Sequence, residues 1–161
     1  MPFQCQEVNI DFLNTASEKV VNVVEIKASP EAIFEIFEDA HAWTEWFQGI
    51  TGVEWTSPKP FGVGTTRTVD LGAMKVWEHF FIWEKNKRFS FYFTQTKLPF
   101  VKALVEDYQL EAIDENTTRF TYTVAYDPSL PLRLSGPVGK AALRKTFGRA
   151  AKSLVSYMEK R

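Results

Sequence analysis

Residues 24–50 read VEIKASPEAIFEIFEDAHAWTEWFQGI, and this stretch decides the fold. It starts inside a Val- and Ile-rich segment, residues 18–28, that is typical of a β-strand. Ser29 is a good helix N-cap, and Pro30 suits the first helical position. The pattern therefore predicts a strand followed directly by a helix over residues 30–38.

A second short helix is predicted over residues 40–47. A helix here places Trp43, Trp46 and Phe47 on one side, at the i, i+3 and i+4 positions that are neighbours on a helical surface. The two helices together carry a large apolar surface, which must be buried against the rest of the chain.

Further along the chain, alternating apolar residues separated by turn residues predict six more strands. Their connections are too short for parallel crossovers, so the sheet is expected to be antiparallel. Pro137 then begins a long helix that runs to about Lys160, with an apolar stripe spaced by three and four residues. Gly148 within this helix indicates either close packing or room for a ligand. The strands cover residues 51–56, 63–71, 74–84, 88–96, 102–113 and 118–127, and the stripe consists of Leu143, Phe147, Ala150, Ala151, Leu154 and Met158.

The order of these elements predicts an α+β fold. A curved, seven-stranded antiparallel sheet is the only large partner for the apolar face of the long helix. We expect one domain over residues 1–161, with residues 18–160 as its core and residues 1–17 as an N-terminal extension. Side chains do not always fill the space between such a sheet and a helix, and concave apolar cavities are where small ligands bind.

Composition restricts the classes of function. Aromatic residues make up 15% of the 161 residues, which indicates a large core or a ring-lined cavity. The net charge of −1 gives no sign of a nucleic-acid partner. No apolar run approaches the ~20 residues of a membrane span, so no stable membrane insertion is expected. Cys5 is the only cysteine, which excludes an intrachain disulfide. We expect a cytoplasmic protein, and its oligomeric state stays open.

Charge is distributed unevenly along the chain. From Arg133 to the C-terminus there are eight basic residues and one acidic residue, Glu159, whereas residues 1–132 hold 11 basic and 19 acidic residues. One interpretation is a basic helix that docks on an acidic sheet. The other is a patch for an anionic partner or a membrane surface.

The dipeptide Gly72-Ala73 fits a two-residue hairpin turn, which fixes the register of the strands around it. This register pairs Arg67 with Glu78 on the mostly apolar face, which is expected to line the cavity. Because a buried unpaired charge is very costly, the two must form an ion pair if both are inside. Such a pair either fixes the register or holds a polar group of a ligand. The other facing pairs on this side are Leu71–Met74, Val69–Val76 and Thr65–Phe80.

Alternation on the remaining strands supplies the other candidates for the cavity wall. Each aromatic side chain among them belongs either to the core or to the wall. Buried tyrosine hydroxyls need partners, so Tyr108 and Tyr122 are the best candidates for polar contacts with a ligand. Two apolar loop tips, residues 98–100 and 130–132, are either lids over the cavity or packing loops. The candidate cavity residues are Trp55, Thr65, Arg67, Val69, Val76, Glu78, Phe80, Phe89, Phe91, Phe93, Tyr108, Leu110, Phe120, Tyr122, Phe147 and Ala151.

Several segments resemble the START-like superfamily, also called SRPBCC, which includes the polyketide cyclase/dehydrase and lipid-transport families. The resemblance covers about residues 18–160 and implies a helix-grip fold, in which the sheet wraps around the long C-terminal helix. It implies less about function, because the superfamily includes ligand carriers, cyclases and chaperone activators. The matching residues are Ser29-Pro30-Glu31, Asp39 and Trp46 in the opening motif, Gly64 and Arg67 in the next strand, and Glu78 in the hairpin that follows.

Three hypotheses about function follow. The first is a soluble binding protein, without catalytic residues, for a hydrophobic and ring-containing small molecule held between the sheet and the C-terminal helix. The second is a cyclase/dehydratase-type enzyme that acts on a polyketide-like substrate in the same cavity. In that enzyme Arg67, Glu78, Tyr108 or Tyr122 would orient an enol or donate a proton. The third is an interaction protein that uses the basic helix.

Signals for other chemistry are few. His41 and His79 are the only histidines, and they lie far apart without the spacing of a metal site. We expect His41 at the surface and His79 on the outer face of the sheet. No nucleophile motif or phosphate-binding glycine loop is present. The sequence therefore predicts neither a metal nor a cofactor.

Overall fold

Seven strands of 4 to 14 residues form one antiparallel sheet around the C-terminal helix in the computed structural model, which describes residues 1–161. This confirms the predicted α+β architecture. An eighth strand, of only two residues near the N-terminus of the chain, pairs with the same sheet. The elements are β1 (Phe3–Gln4), α1 (Phe12–Thr15), β2 (Glu18–Ile26), α2 (Pro30–Glu38), α3 (Ala40–Trp46), β3 (Gly52–Trp55), β4 (Thr66–Leu71), β5 (Met74–Glu84), β6 (Arg88–Thr96), β7 (Val101–Asp114), β8 (Thr117–Pro128), α4 (Leu130–Leu134) and α5 (Gly136–Glu159).

The strand order is β2-β8-β7-β6-β5-β4-β3, and neighbouring strands run antiparallel. In the β4–β5 hairpin Arg67 faces Glu78 and Leu71 faces Met74, which is the register predicted from the Gly72-Ala73 turn. Gly72 has φ +70°, a backbone conformation that glycine adopts without steric cost. The turn residues thus place the two charged side chains on the concave face of the sheet.

The two short helices begin as their sequences require. The Ser29 side chain accepts a hydrogen bond from the backbone N–H of Ala32 and caps α2. Asp39 caps α3 in the same way, by accepting from the backbone N–H groups of His41 and Ala42. The capped helices bury Phe34, Phe37, Trp43 and Trp46 at one end of the concave face.

The long helix α5 lies against the concave face. Its stripe is buried from Phe147 to Met158, whereas Leu143, one turn earlier, is only partly buried. Neither interpretation of Gly148 is required by its surroundings. A Cβ atom there would lie 3.4 Å from the side-chain oxygen of Asn22 on β2, which is ordinary van der Waals contact, and Gly148 does not line the cavity beneath the helix.

The N-terminal extension covers the outer face of the sheet. Residues Phe3–Gln4 pair with β6, and the backbone N–H of Gln6 donates to the carbonyl of Lys102. The Phe12 side chain from α1 packs with Tyr92 and Val105, which point away from the concave face. The middle of the sheet is therefore buried on both sides.

One difference from the sequence-based expectations concerns the C-terminal part of the chain. Residues 130–134, expected as a loop, form the short helix α4. The backbone N–H of Ser129, the residue before α4, donates to the carbonyl of Phe100. The helix α4 therefore begins beside the loop between β6 and β7. None of the helices has the length and the apolar character that a membrane crossing requires.

Candidate functional site

A cavity of about 200 Å³ lies between the sheet and α5. Its walls come from α3, from strands β4 to β7, and from the middle of α5. Most of the lining side chains are apolar, and the few polar ones are mainly close together. The lining residues are Trp43, Phe47, Ile50, Arg67, Val69, Leu71, Met74, Val76, Glu78, Phe91, Phe93, Phe100, Leu104, Glu106, Tyr108, Leu143, Thr146 and Phe147.

The cavity has a buried polar end and an apolar mouth. Its four polar or ionisable side chains at the inner end are at most 6% exposed: Arg67, Glu78, Glu106 and Tyr108. At the other end the lining residues reach solvent, and Thr146 on α5 is exposed. The remaining residues of the mouth are the half-buried Leu71, Met74, Phe100 and Leu143. A ligand would therefore enter past aliphatic and aromatic side chains before it met a charge.

Half of the sixteen residues predicted for the cavity wall lie on it. These are Arg67, Val69, Val76, Glu78, Phe91, Phe93, Tyr108 and Phe147. The other eight do not line the cavity: Trp55, Thr65, Phe80, Phe89, Leu110, Phe120, Tyr122 and Ala151. The alternation of each strand identified the correct face, but only part of that face borders the empty space.

Among these eight residues, Phe89 and Phe120 pack at the closed end of the sheet. Rings from α2 fill this end, where Phe37 lies 5.3 Å from Phe89 and 5.7 Å from Phe120 between ring centroids. Trp55 stacks on Phe61 at 4.3 Å. Thr65 instead serves a turn, since its hydroxyl oxygen accepts from the backbone N–H of Gly62.

Arg67 and Glu78 form a buried ion pair at the inner end of the cavity. Arg67 Nε donates to Glu78 Oε1 over 2.5 Å, and the two side chains are 1% and 4% exposed. The guanidinium carbon lies 4.3 Å from the ring centroid of Trp43 and 5.0 Å from that of Phe91, within the range of cation–π attraction. Arg67 Nη1 has no hydrogen-bond partner although it is buried. One buried donor of this cavity-lining residue is thus left without a hydrogen-bond partner.

Glu106 is a buried ionisable residue of the cavity wall that was not predicted from the sequence. Its Oε1 atom accepts hydrogen bonds from the hydroxyl groups of Tyr108, at 2.9 Å, and Tyr122, at 2.7 Å. The sequence does contain the information needed to predict it. Glu106 lies two residues before Tyr108 on β7, and side chains two residues apart on a strand point to the same face. Tyr122 does not line the cavity, but it reaches the site through this bond. Both bonds converge on Oε1, and no protein donor bonds to Oε2.

The pKa values of this group are shifted by burial. Burial raises the pKa of Glu106 to about 7, helped by the negative charge of Glu78 and opposed by the bonds from Tyr122 and Tyr108. Burial also raises the pKa of Glu78, while Arg67 opposes that rise. The pKa values of both tyrosines lie well above 10, because of burial and the nearby Glu106 carboxylate. A pKa of about 7 means that Glu106 titrates near neutral pH.

The raised pKa of Glu106 has a consequence for stability. The folded protein holds a proton that the unfolded chain, with an ordinary carboxyl pKa, releases at lower pH. The stabilising contribution is complete below the unfolded pKa and is lost as the pH rises through about 7. A shift of this size corresponds to ~3 kcal/mol.

Glu106→Gln is expected to remove this pH dependence, because glutamine still accepts from both tyrosines but does not titrate. Urea unfolding from about pH 5 to about pH 8 measures the free energy of unfolding of both proteins. The wild type should lose stability relative to the variant over this range. Parallel curves would show that Glu106 keeps an ordinary pKa in the folded state.

The remaining lining residues that were missed come from α3 and its C-terminal end, and from the mouth. Trp43 and Phe47 were expected on the apolar side of the second short helix, but nothing in their spacing distinguishes core from cavity wall, and no prediction was made for Ile50. No group of three or more His, Cys, Asp and Glu side chains has the arrangement of a metal site. His41 is exposed, and His79 lies on the outer face, where its ring is 5.2 Å from that of Tyr92.

Comparisons with known proteins agree with this architecture. A family model described as polyketide cyclase / dehydrase and lipid transport matches residues 17–159. An uncharacterised protein of Mycobacterium tuberculosis is 36% identical over 160 residues, which cover 99% of this chain and 95% of that protein. An uncharacterised protein of Mycobacterium bovis matches with the same identity and coverage.

Solved structures share the fold at much lower sequence identity. A START superfamily protein from Mycobacterium smegmatis has a TM-score of 0.75 at 19% identity, covering 88% of this chain and 97% of that one. The Zhui aromatase/cyclase from Streptomyces sp. R1128 has a TM-score of 0.76 at 12% identity, covering 89% and 94% of the two chains. These likenesses establish the fold that the sequence motifs predicted.

Proposed function

Because the chain belongs to the polyketide cyclase/dehydrase and lipid transport family, we propose that it binds a small, ring-containing hydrophobic molecule in the cavity beneath α5. The observation that carries the proposal is the cavity itself, in which 14 of the 18 lining residues are hydrophobic. Apolar pockets with a few convergent polar groups are the usual form of a small-molecule site.

The size of the cavity limits the ligand. Its volume of about 200 Å³ is below the roughly 300–1,000 Å³ of ordinary ligand pockets. An apolar cavity of about 150 Å³ accommodates benzene. The proposed ligand is therefore a single ring with a short substituent, and a molecule with three fused rings is too large for this cavity.

The polar end of the cavity favours a neutral oxygen on the ligand. Arg67 Nη1 offers a free donor, and Oε2 of a protonated Glu106 offers a second one. The charge of Arg67 is already balanced by Glu78, so a ligand carboxylate would add a net negative charge to a buried site. A carbonyl or hydroxyl oxygen accepts the same hydrogen bonds without that cost.

A thermal-shift comparison of three compounds tests this proposal. Acetophenone, with one ring and a carbonyl, should raise Tm more than ethylbenzene, which has nearly the same shape without the oxygen. A saturating ligand at 100 times its Kd adds ~2.7 kcal/mol of stability by mass action. A methyl ketone on three fused rings should leave Tm unchanged. Equal shifts for all three compounds, or none for acetophenone, would contradict the proposed site.

Two tryptophan variants locate the binding. Thr146→Trp places a large ring at the mouth of the cavity, whereas Ser156→Trp places one at an exposed position of the same helix that does not line the cavity. We expect the first variant to lose the acetophenone-dependent rise in Tm and the second to keep it. Retention of the rise in both variants would place the ligand elsewhere.

A second candidate function is acid–base catalysis on a carbonyl compound in the same cavity, as in a cyclase or dehydratase. The observation that favours it is Glu106, whose pKa of about 7 suits proton transfer at neutral pH. Arg67 would hold the carbonyl oxygen, Glu78 would fix Arg67, and Tyr108 and Tyr122 would hold the carboxyl group of Glu106. Glu106→Gln separates the two functions. An enzyme would lose turnover while still binding its substrate, whereas a binding protein shows no turnover to lose.

A further inference from the structure

The solvent side of α5 is strongly and unusually basic. Five basic residues lie within this helix, and its first acidic residue is Glu159 at the last position. Only Lys140 forms an ion pair, with Glu18 on β2 at 3.0 Å. The expected docking of the basic helix on an acidic sheet is therefore limited to one contact. The cations without an ion-pair partner are Arg144, Lys145, Arg149 and Lys152.

Three of these cations share one side of the helix. Lys145, Arg149 and Lys152 follow each other by four and three residues, which places them on one face. All three are exposed, and the face lies opposite the buried stripe of Phe147 and Leu154. We call Lys145, Arg149 and Lys152 the basic face.

Large aliphatic side chains are exposed next to the basic face. Leu130 is 61% exposed, Leu134 is 77% exposed and Val138 is 76% exposed. Val138 lies seven residues before Lys145 and so extends the basic face towards the start of α5. Three exposed aliphatic residues within nine positions form an apolar stretch of the kind that marks an interaction site.

This apolar stretch adjoins the mouth of the cavity. The backbone N–H of Ser129, immediately before α4, donates to the carbonyl of Phe100 over 2.9 Å. Phe100 lines the cavity, and Leu98 in the same loop is 47% exposed. The start of α4 and the entrance for the ligand thus lie in one region of the molecule, and the basic face lies on the helix that follows α4.

We propose that α4 and the basic face of α5 dock on the surface of a lipid bilayer that contains anionic lipids. Cations attract anionic headgroups, while neighbouring aliphatic side chains enter the boundary between headgroups and acyl chains. A nucleic acid or an acidic peptide would satisfy the cations but leave Leu134 and Val138 in water. Docking in this way does not require a membrane-spanning helix, and it brings the cavity mouth to the lipid phase from which an apolar ligand would enter.

Vesicle sedimentation tests the electrostatic part. The protein should sediment with vesicles of phosphatidylcholine and phosphatidylserine, and much less with phosphatidylcholine alone. Lys145→Ala/Lys152→Ala should weaken binding about 30-fold, because each cation near an anionic surface contributes ~1 kcal/mol. The matched control is Lys27→Ala/Lys87→Ala, which removes two exposed lysines at the other end of the sheet and should leave binding unchanged.

A second variant tests the apolar part. Leu134→Gln/Val138→Gln keeps every charge and alters only exposed positions, so the fold should be retained, as an unchanged Tm would show. Its binding to the anionic vesicles should fall several-fold at high salt, where electrostatic attraction is screened. Equal binding to neutral and anionic vesicles would overturn the proposal. The proposal would also be overturned if the two lysine double variants lost vesicle binding to the same extent, or if the protein bound a single-stranded oligonucleotide but not vesicles.

Discussion

Replacing Arg67 with Met is expected to lower the free energy of unfolding by ~3–5 kcal/mol, because the change leaves the Glu78 carboxylate buried without its counter-charge. Both side chains are almost fully buried, so solvent does not screen this loss. Protonation of Glu78 relieves part of it, and the deficit should therefore shrink as the pH falls. Urea unfolding of wild type and variant at two pH values measures both effects.

The double variant Arg67→Met/Glu78→Leu separates a stranded charge from lost packing. Its free energy of unfolding should lie much closer to that of the wild type, since apolar replacement of a buried ion pair is often neutral or stabilising. Arg119→Met is the matched control, because its pair with Glu111 is exposed and should be worth less than ~1 kcal/mol. A double variant that is less stable than Arg67→Met alone would contradict this account of the pair.

Phe89→Ala is expected to cost ~3–5 kcal/mol, because it creates a void in a filled part of the core. The Phe89 ring is fully buried, lies 4.8 Å from that of Tyr108 and 5.3 Å from that of Phe37, and does not line the cavity. Phe91, two residues further along the same strand, borders the cavity. Its replacement by Ala removes fewer packing contacts and should cost less.

The two phenylalanine variants also differ in binding. Phe91→Ala enlarges the cavity, so it should admit the ketone on three fused rings that the wild type excludes. Phe89→Ala should not, since its void lies outside the wall. For each variant, urea unfolding measures the free energy of unfolding, and a thermal-shift assay measures the rise in Tm with the three-ring ketone. If the two variants lost the same free energy of unfolding and bound the same compounds, Phe91 would not border the cavity as described.

Local rules explain why so much of the fold is predictable from sequence. The Gly72-Ala73 turn and the period of two on each strand are sufficient to place Arg67 opposite Glu78. Ser29 and Asp39 cap their helices through bonds to residues two or three positions away. Each of these interactions connects residues that are close in sequence or facing across one hairpin. Such pairs need no knowledge of the tertiary arrangement.

The boundary of the cavity is set by tertiary packing, which alternation does not encode. Phe89 and Phe91 occupy the same face of β6, yet only Phe91 borders the cavity, because the rings of Phe34 and Phe37 from α2 fill the space beside Phe89. The position of those rings depends on how α2 and α5 seat against the sheet. Glu106 differs, since its spacing of two residues from Tyr108 is sufficient to place it on the inner face, although it was not among the predicted residues.

On the outer face of the sheet, too, alternation along a strand does not predict which side chains are buried. Asp107 alternates with Glu106 and would be expected to meet solvent, but it is 1% exposed. It accepts bonds from Arg88 at 2.8 Å, from Gln109 at 2.7 Å and from Ser90, so its burial is fully compensated. The N-terminal extension packs on this face, and the apolar residues that hold it there are separated from their partners by about half the chain.

Methyl NMR during a titration with acetophenone tests the central claim, that the cavity beneath α5 is the ligand site, most directly. Val69, Val76 and Leu104 line the cavity, whereas Val20 and Leu154 are equally buried and do not line it. The account predicts that the methyl resonances of the first three residues shift in a saturable manner while those of the other two stay in place. Absence of any saturable shift, or shifts confined to exposed methyl groups such as those of Leu134 and Val138, would contradict it.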